Sequence, residues 1–197
     1  MKTIKHHTGA RLILMILTIL TVFFTSCNSN EEQKNTKEEE NLPEVVKGLP
    51  VGIEVTHIPN EMYAEVYEKD SSYFIWKHKT IVKATVSDLQ IVEFGTMNFI
   101  DGKWRLGNYT KTPFSKEHFE MWYQKKDGPK ILGFCKGGRL EKGVEYIDNT
   151  NYSIKRKDLT PRNGLWYYIA VDDQGNKYVG YGRYKTVGKM LNPEEQK

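Results

Sequence analysis

The residues of this chain that could do chemistry are scattered. Past the first ten residues the histidines are His57, His78 and His118, standing 21 and 40 residues apart. No second His or Cys is spaced to close a local metal motif, because zinc sites draw their ligands from short Cys/His spacings. A copper site of the cupredoxin type needs a Cys and a His close together on one loop, and no His follows Cys135. The Gly-x-Ser-x-Gly elbow, the Gly-x-x-x-x-Gly-Lys-Ser/Thr phosphate loop and the His-Glu-x-x-His helix are absent. The commonest hydrolase, nucleotide and zinc-protease chemistries therefore drop out. Asp172-Asp173 sits among turn residues, and Glu117 and Glu120 fall on the wet side of a short helix. Neither pair is placed for the burial that raises a general acid's pKa. No catalytic residue, metal ligand or cofactor is assigned, and an enzyme would need a site assembled only in space.

Aromatic residues carry the strongest binding signal: four Trp, twelve Tyr and eight Phe, with Trp166-Tyr167-Tyr168 in one run. In a strand adjacent side chains point to opposite faces, so Trp166 and Tyr168 share one side and Tyr167 joins Leu165 and Ile169 on the other. If Trp166, Tyr168 and Tyr181 line an exposed face, they form a platform for stacking on a sugar ring. The competing reading is that these rings fill the core of a domain without disulfides.

The N-terminus sets the address. Lys2, Lys5 and Arg11 precede an apolar run from Leu12 to Phe24, which Thr25-Ser26 closes with small residues. This is the order of a secretory signal. Thirteen residues are too few for a permanent transmembrane helix, which needs about 20. The segment Phe24-Thr25-Ser26-Cys27 resembles the lipobox of bacterial lipoproteins, with Phe24 standing where that family usually carries Leu, Val or Ile. The resemblance covers residues 1–27 alone. It implies cleavage between Ser26 and Cys27 and lipid on Cys27, and hence a membrane anchor, since two or more acyl chains hold stably where one does not. Asn28, directly after the cysteine, is not the Asp associated with inner-membrane retention, which favours the outer membrane, with the domain facing the periplasm or the cell surface.

Downstream expectations follow. Residues 27–48 are rich in Glu and Lys, with almost nothing apolar before Leu42, and read as a flexible tether. In some lineages an acidic stretch of this kind looks like a surface-display signal, and Glu31-Glu32 is similar to it. With Cys27 consumed, Cys135 has no disulfide partner. It follows Ile131, Leu132 and Phe134 and reads as a buried core residue, against the alternative of a thiolate activated by Lys136 or Arg139. An exported compartment makes nucleic acid an improbable partner for the modest net charge of +4. Asn108-Tyr109-Thr110 and Asn151-Tyr152-Ser153 fit the eukaryotic glycosylation pattern, which loses its meaning behind a bacterial lipobox.

These groups need elements to position them, and the period along residues 49–197 is mostly two. Tyr73 to Val86 alternates as one long strand or two joined at a bend. Leu89 to Ile100 leads through Asp101-Gly102 into Lys103 to Leu106, a hairpin signal because a type I′ turn needs positive φ at both central positions. Leu165 to Val171 and Lys177 to Val187 pair through residues 172–176, and Val51 to Ile58 and Tyr63 to Glu68 read as shorter strands. After Pro113, Ser115 can cap a helix reaching about Gln124, with Phe114 and Phe119 as its hydrophobic staple. The chain is thus predicted as a signal peptide (1–26), a lipidated acidic tether (27–48) and one mainly β domain (49–197). That domain is expected as an antiparallel sandwich or small barrel of about eight strands with one short α-helix near 115–124. Its expected role is binding or scaffolding another envelope component, or alternatively recognising a glycan.

Overall fold

The alternation that runs from Tyr73 to Val86 breaks at His78, and its two halves enter different sheets. The computed structural model describes residues 42–128 and 135–192. Residues 43–197 form one unit. The leader, Ser26, Cys27 and the tether up to residue 41 lie outside the described residues, as do residues 131–134 of the apolar insert. A 3-10 turn at Glu44–Val46 buries Val46. Residues 43–48, expected as the end of the tether, therefore begin the folded unit.

In chain order the strands are β1 (Ile53–Ile58), β2 (Glu61–Val66), β3 (Tyr73–Lys77), β4 (Lys79–Ala84), β5 (Leu89–Ile100), β6 (Lys103–Leu106) and β7 (Phe114–Ser115). Helix α1 (Lys116–Trp122) comes next, then β8 (Gln124–Lys125), β9 (Arg139–Leu140), β10 (Glu145–Asp148), β11 (Tyr152–Arg156), β12 (Arg162–Val171) and β13 (Lys177–Met190). One sheet has four strands in the order β1-β4-β10-β8. The other has nine, running β11-β3-β2-β13-β12-β5-β6, with β7 and β9 also pairing on β5. Among the described residues the strands pair antiparallel except β2 with β13, and the isolated bridges Val51–Val179 and Ala84–Lys142 are parallel. Among the described residues the protein is mainly β with one α-helix, and the eight strands expected are thirteen. Two causes account for four of the additional strands. His78 divides one alternating run into two strands, and β7, β8 and β9 are two-residue ladders too short to show any period.

The turns follow their residue types. Asp101 and Gly102 both take positive φ, 52° and 73°, between Ile100 and its partner Lys103, as a type I′ hairpin requires. At the tip between β12 and β13 the Asp172 carboxylate accepts the N–H groups of Gln174 and Asn176, each at 2.9 Å. Seven residues are too few for α1 to stand alone in water. Packing holds it instead: the Phe119 ring meets Phe94 at 5.6 Å and stacks on Tyr123 at 4.1 Å.

Gly180 and Gly182 decide how closely the two sheets approach. A Cβ on Gly180 would lie 2.5 Å from the Ile53 Cβ, and one on Gly182 would lie 2.8 Å from His57 Nε2. Both glycines share a face of β13, and β1 from the other sheet presses against it. The buried cluster draws on both sheets, with Ile53, Val82 and Tyr146 from one and Ile91, Phe94 and Tyr168 from the other. Each large side chain so buried contributes roughly 1.5–3 kcal/mol. Phe94 is the hub of this cluster, its ring 5.6 Å from Tyr168 and nearly parallel to it.

Candidate functional site

The Asn-Tyr pairs of the two Asn-Tyr-Ser/Thr triplets, far apart in sequence, line one cleft of about 610 Å³. In each the asparagine is buried and the tyrosine is exposed: Asn108 is 6% and Asn151 8% accessible, against 77% for Tyr109 and 51% for Tyr152. The buried amides are structural. Asn108 Oδ1 accepts the Thr96 N–H at 2.8 Å and its Nδ2 donates to the Thr112 carbonyl at 2.8 Å, tying the loop after β6 to β5. Asn151 Nδ2 donates to Thr80 Oγ1 at 2.9 Å, and the Asn151 backbone carbonyl accepts the His78 backbone N–H at 2.9 Å. Neither asparagine is open to modification. Each holds its neighbouring tyrosine outward at the cleft.

Between the tyrosines the wall is aromatic. Phe114 meets Trp122 edge to face at 4.8 Å and stacks near Trp166 at 6.2 Å, while Tyr109 packs on Phe114 at 5.5 Å. Polar groups interrupt it, among them Asn98, Thr150, Ser153, Asp148 and Arg162. Gly107 lets the loop lie flat here, since a Cβ at that position would meet Asn98 Nδ2 and Thr96 Oγ1 at 2.4 Å.

Two charged groups share the cleft. Asp148, at the end of β10, is buried, and its Oδ1 accepts from the Thr150 N–H at 2.9 Å and hydroxyl at 3.2 Å. Burial raises its carboxyl above the ordinary carboxylate pKa, with the Thr150 hydrogen bonds opposing. Arg162, the first residue of β12, lays its guanidinium over the Trp76 ring at 5.0 Å. Its Nε and Nη2 are sealed from solvent without a hydrogen-bond acceptor. Burial lowers its pKa, an effect opposed by the charges of Tyr184 and Asp158.

Behind the cleft, His57 and His78 come together. His57 Nδ1 lies 3.1 Å from Thr80 Oγ1 and Nε2 3.0 Å from the Gly182 carbonyl. His78 stacks on Tyr184 at 5.8 Å, and neither of its ring nitrogens has a hydrogen-bond partner. His118 is elsewhere, on α1, where its Nδ1 accepts the Ser115 N–H at 3.3 Å. No three His, Cys, Asp or Glu side chains gather for a metal ion among the described residues. Cys135 is buried, and burial pushes its thiol up to about 12, opposite to what a reactive thiolate needs. At the turn, Asp172 is held below the ordinary carboxylate pKa by Asn176, and Asp173 is held low by Arg139. A general acid requires the reverse.

The platform expected from Trp166, Tyr168 and Tyr181 does not exist as an exposed face. Trp166 is 5% and Tyr168 0% accessible. The register pairs Trp166 with Gly182 and Tyr168 with Gly180, so this is the face that β1 covers. Tyr181 pairs with Tyr167 and points to the opposite side. Of the three, Trp166 alone contributes to the cleft wall. The exposed rings that line the cleft are Tyr109 and Tyr152, and the signal that marks them is the repeated Asn-Tyr-Ser/Thr triplet. No described helix is long and apolar enough to cross a membrane. Compared with known proteins, the chain matches no family model and no curated protein.

Proposed function

We propose that this protein is a lipoprotein of the bacterial envelope, lipidated on Cys27 and favouring the outer membrane, whose β-rich domain is a non-enzymatic binding module for a carbohydrate. The observation that carries the ligand reading is the pair of exposed tyrosines, Tyr109 and Tyr152, on one cleft that mixes aromatic and hydrogen-bonding side chains. A sugar offers both an apolar ring face and a belt of hydroxyls, so it is matched by flat rings set among amides, hydroxyls and charged groups. The cleft volume falls within the roughly 300–1,000 Å³ usual for small-ligand sites. The two sheets are read as the layers of an antiparallel sandwich. Support comes from the approach of β1 onto Gly180 and Gly182 and from a core shared by both sheets.

The membrane reading is supported by the order of residues 1–27 and by the acidic stretch after Cys27. Glycan-array binding of the full-length protein in mild detergent, compared with Tyr109→Ala and Tyr152→Ala, tests the ligand reading. Binding to a defined set of glycans that weakens about tenfold or more in each variant is expected, since an aromatic contact in a site contributes on the order of 1–3 kcal/mol. Absence of binding to any glycan would leave a scaffold for another envelope component.

A further inference from the structure

We propose that the sugar taken by this cleft is anionic, with its carboxylate or sulfate received by Arg162 and its hydroxyls by Asp148. The inference rests on the carbohydrate reading above and adds the charge of the ligand to it.

The guanidinium of Arg162 is a charged group that the fold leaves incomplete. Its fork carries five N–H donors in fixed geometry, and two of its nitrogens, Nε and Nη2, are sealed without an acceptor. A buried charged donor without a partner costs more than a neutral one. Within the fold the Trp76 ring face offers cation–π attraction at 5.0 Å, which neutralises no charge and accepts no hydrogen bond along the fork. Arg139 shows the contrasting case. Although exposed to solvent, it pairs with Asp173 at 3.0 Å and with Asp88 at 3.5 Å. Arg162 makes no salt bridge among the described residues, and Asp158, whose charge acts on it, is paired with Lys155. The arginine that lines the cleft is thus sheltered from water and has no carboxylate paired with it.

Asp148 supplies the second half of the match. The Thr150 N–H and hydroxyl both go to its Oδ1. A carboxylate can accept further donors at its other oxygen, and the hydroxyls of a sugar are donors of that kind. The guanidinium fork suits a carboxylate or sulfate because both present two oxygens to parallel N–H bonds. A neutral sugar would satisfy Asp148 and the tyrosines and leave the arginine charge unmatched. Because Nε and Nη2 are closed to solvent, binding also requires local side-chain movement of the sort common at recognition sites.

The test uses the full-length protein in detergent and matched oligosaccharides: an oligouronate, the same oligouronate with its carboxyls methyl-esterified, and a sulfated and an unsulfated form of a second sugar. The expected result is at least a roughly tenfold preference for one acidic member over its neutral match. That preference should fall as salt is raised and disappear in Arg162→Gln. The uronate and sulfate arms tell which anion is read. Equal binding of acidic and neutral members by the unaltered protein overturns this inference and leaves the carbohydrate reading standing. Failure of all four sugars and of every glycan on an array overturns both. Because the matched comparison is made on the unaltered protein, a variant that fails to fold does not blunt it. An Arg162→Gln variant that keeps its thermal midpoint and the full acidic preference also overturns the assignment.

Discussion

His57 and His78 meet edge to face inside the fold, their ring centroids 5.4 Å apart. The bend between β3 and β4 places His78 there, and β1 brings His57 across from its neighbouring strand. The pair differs in one respect that matters for energetics. Both His57 nitrogens have partners, and both His78 nitrogens lack them.

Stability should therefore depend on pH in a defined window. Burial lowers His57 from 6.5 to about 4, with the Gly182 carbonyl opposing. Burial and then the charge of His57 lower His78 to about 3, opposed by the Trp76 carbonyl, which lies near the ring without meeting hydrogen-bond geometry. A folded pKa below the unfolded one means that the unfolded chain binds more protons between the two values. The stabilisation is fully present above about pH 6.5 and is lost as pH falls towards 4. The His57 shift alone corresponds to about 3 kcal/mol. Denaturant melts at pH 7.5 and 4.5 should differ by an amount of that order, and equal midpoints would contradict the buried, neutral pair.

The two histidines should respond oppositely to apolar replacement. His78→Leu removes two unpartnered polar atoms and is expected to be neutral or stabilising, while flattening the pH dependence. His57→Leu leaves the Thr80 hydroxyl without one partner and the Gly182 carbonyl facing a methyl group, for a loss of about 1–3 kcal/mol. Thermal unfolding of the two variants at pH 7.5 checks the order. A His78→Leu loss as large as that of His57→Leu would count against it.

Side chains at the sheet-to-sheet contact should not be tolerated. Gly180→Ala puts a methyl within 2.6 Å of the Ile53 carbonyl oxygen, which is backbone and cannot rotate away. A loss of about 1–3 kcal/mol is expected from overpacking. Gly102→Ala has open space around its Cβ and differs only by its φ of 73°, so it should cost about 1 kcal/mol from the left-handed backbone alone, less than the clash at Gly180. Chemical denaturation that ranks them the other way would place the close approach elsewhere.

Thiol counting addresses both cysteines at once. The buried Cys135 thiol, pushed up to about 12, should resist a disulfide reagent in the native protein at pH 8. If Cys27 carries lipid on sulfur, the mature protein titrates no thiol when native and one when denatured. One native thiol and two after denaturation would mean an unmodified Cys27. Replacement of Cys27 with Ala should release the protein from the membrane fraction and leave the precursor uncut.

Much of the local structure was legible in the residues. Asp101-Gly102 specified its hairpin because positive φ at both positions suits few other pairs. Ser115 marked the start of α1, and the alternation from Leu89 to Ile100 marked β5. Strand count was less legible. A two-residue ladder such as β9 carries no period, and the break at His78 is made by pairing of its flanks with two different sheets.

The site divides in the same way. By itself the sequence determined the strand faces: Trp166 and Tyr168 on one side of β12 and Tyr167 on the other follow from a period of two, whatever lies around them. Which face meets solvent is a property of the neighbours, and β1 resting on Gly180 and Gly182 turned the expected platform into core. Likewise the two Asn-Tyr-Ser/Thr triplets are plain in the sequence, but their asparagines find Thr96, Thr112 and Thr80 only when loops distant along the chain are brought together. Burial, hydrogen-bond partners and the unmatched charge of Arg162 are long-range quantities. Tertiary packing decided them, because they depend on which surfaces exclude water and not on the order of residues within any one strand.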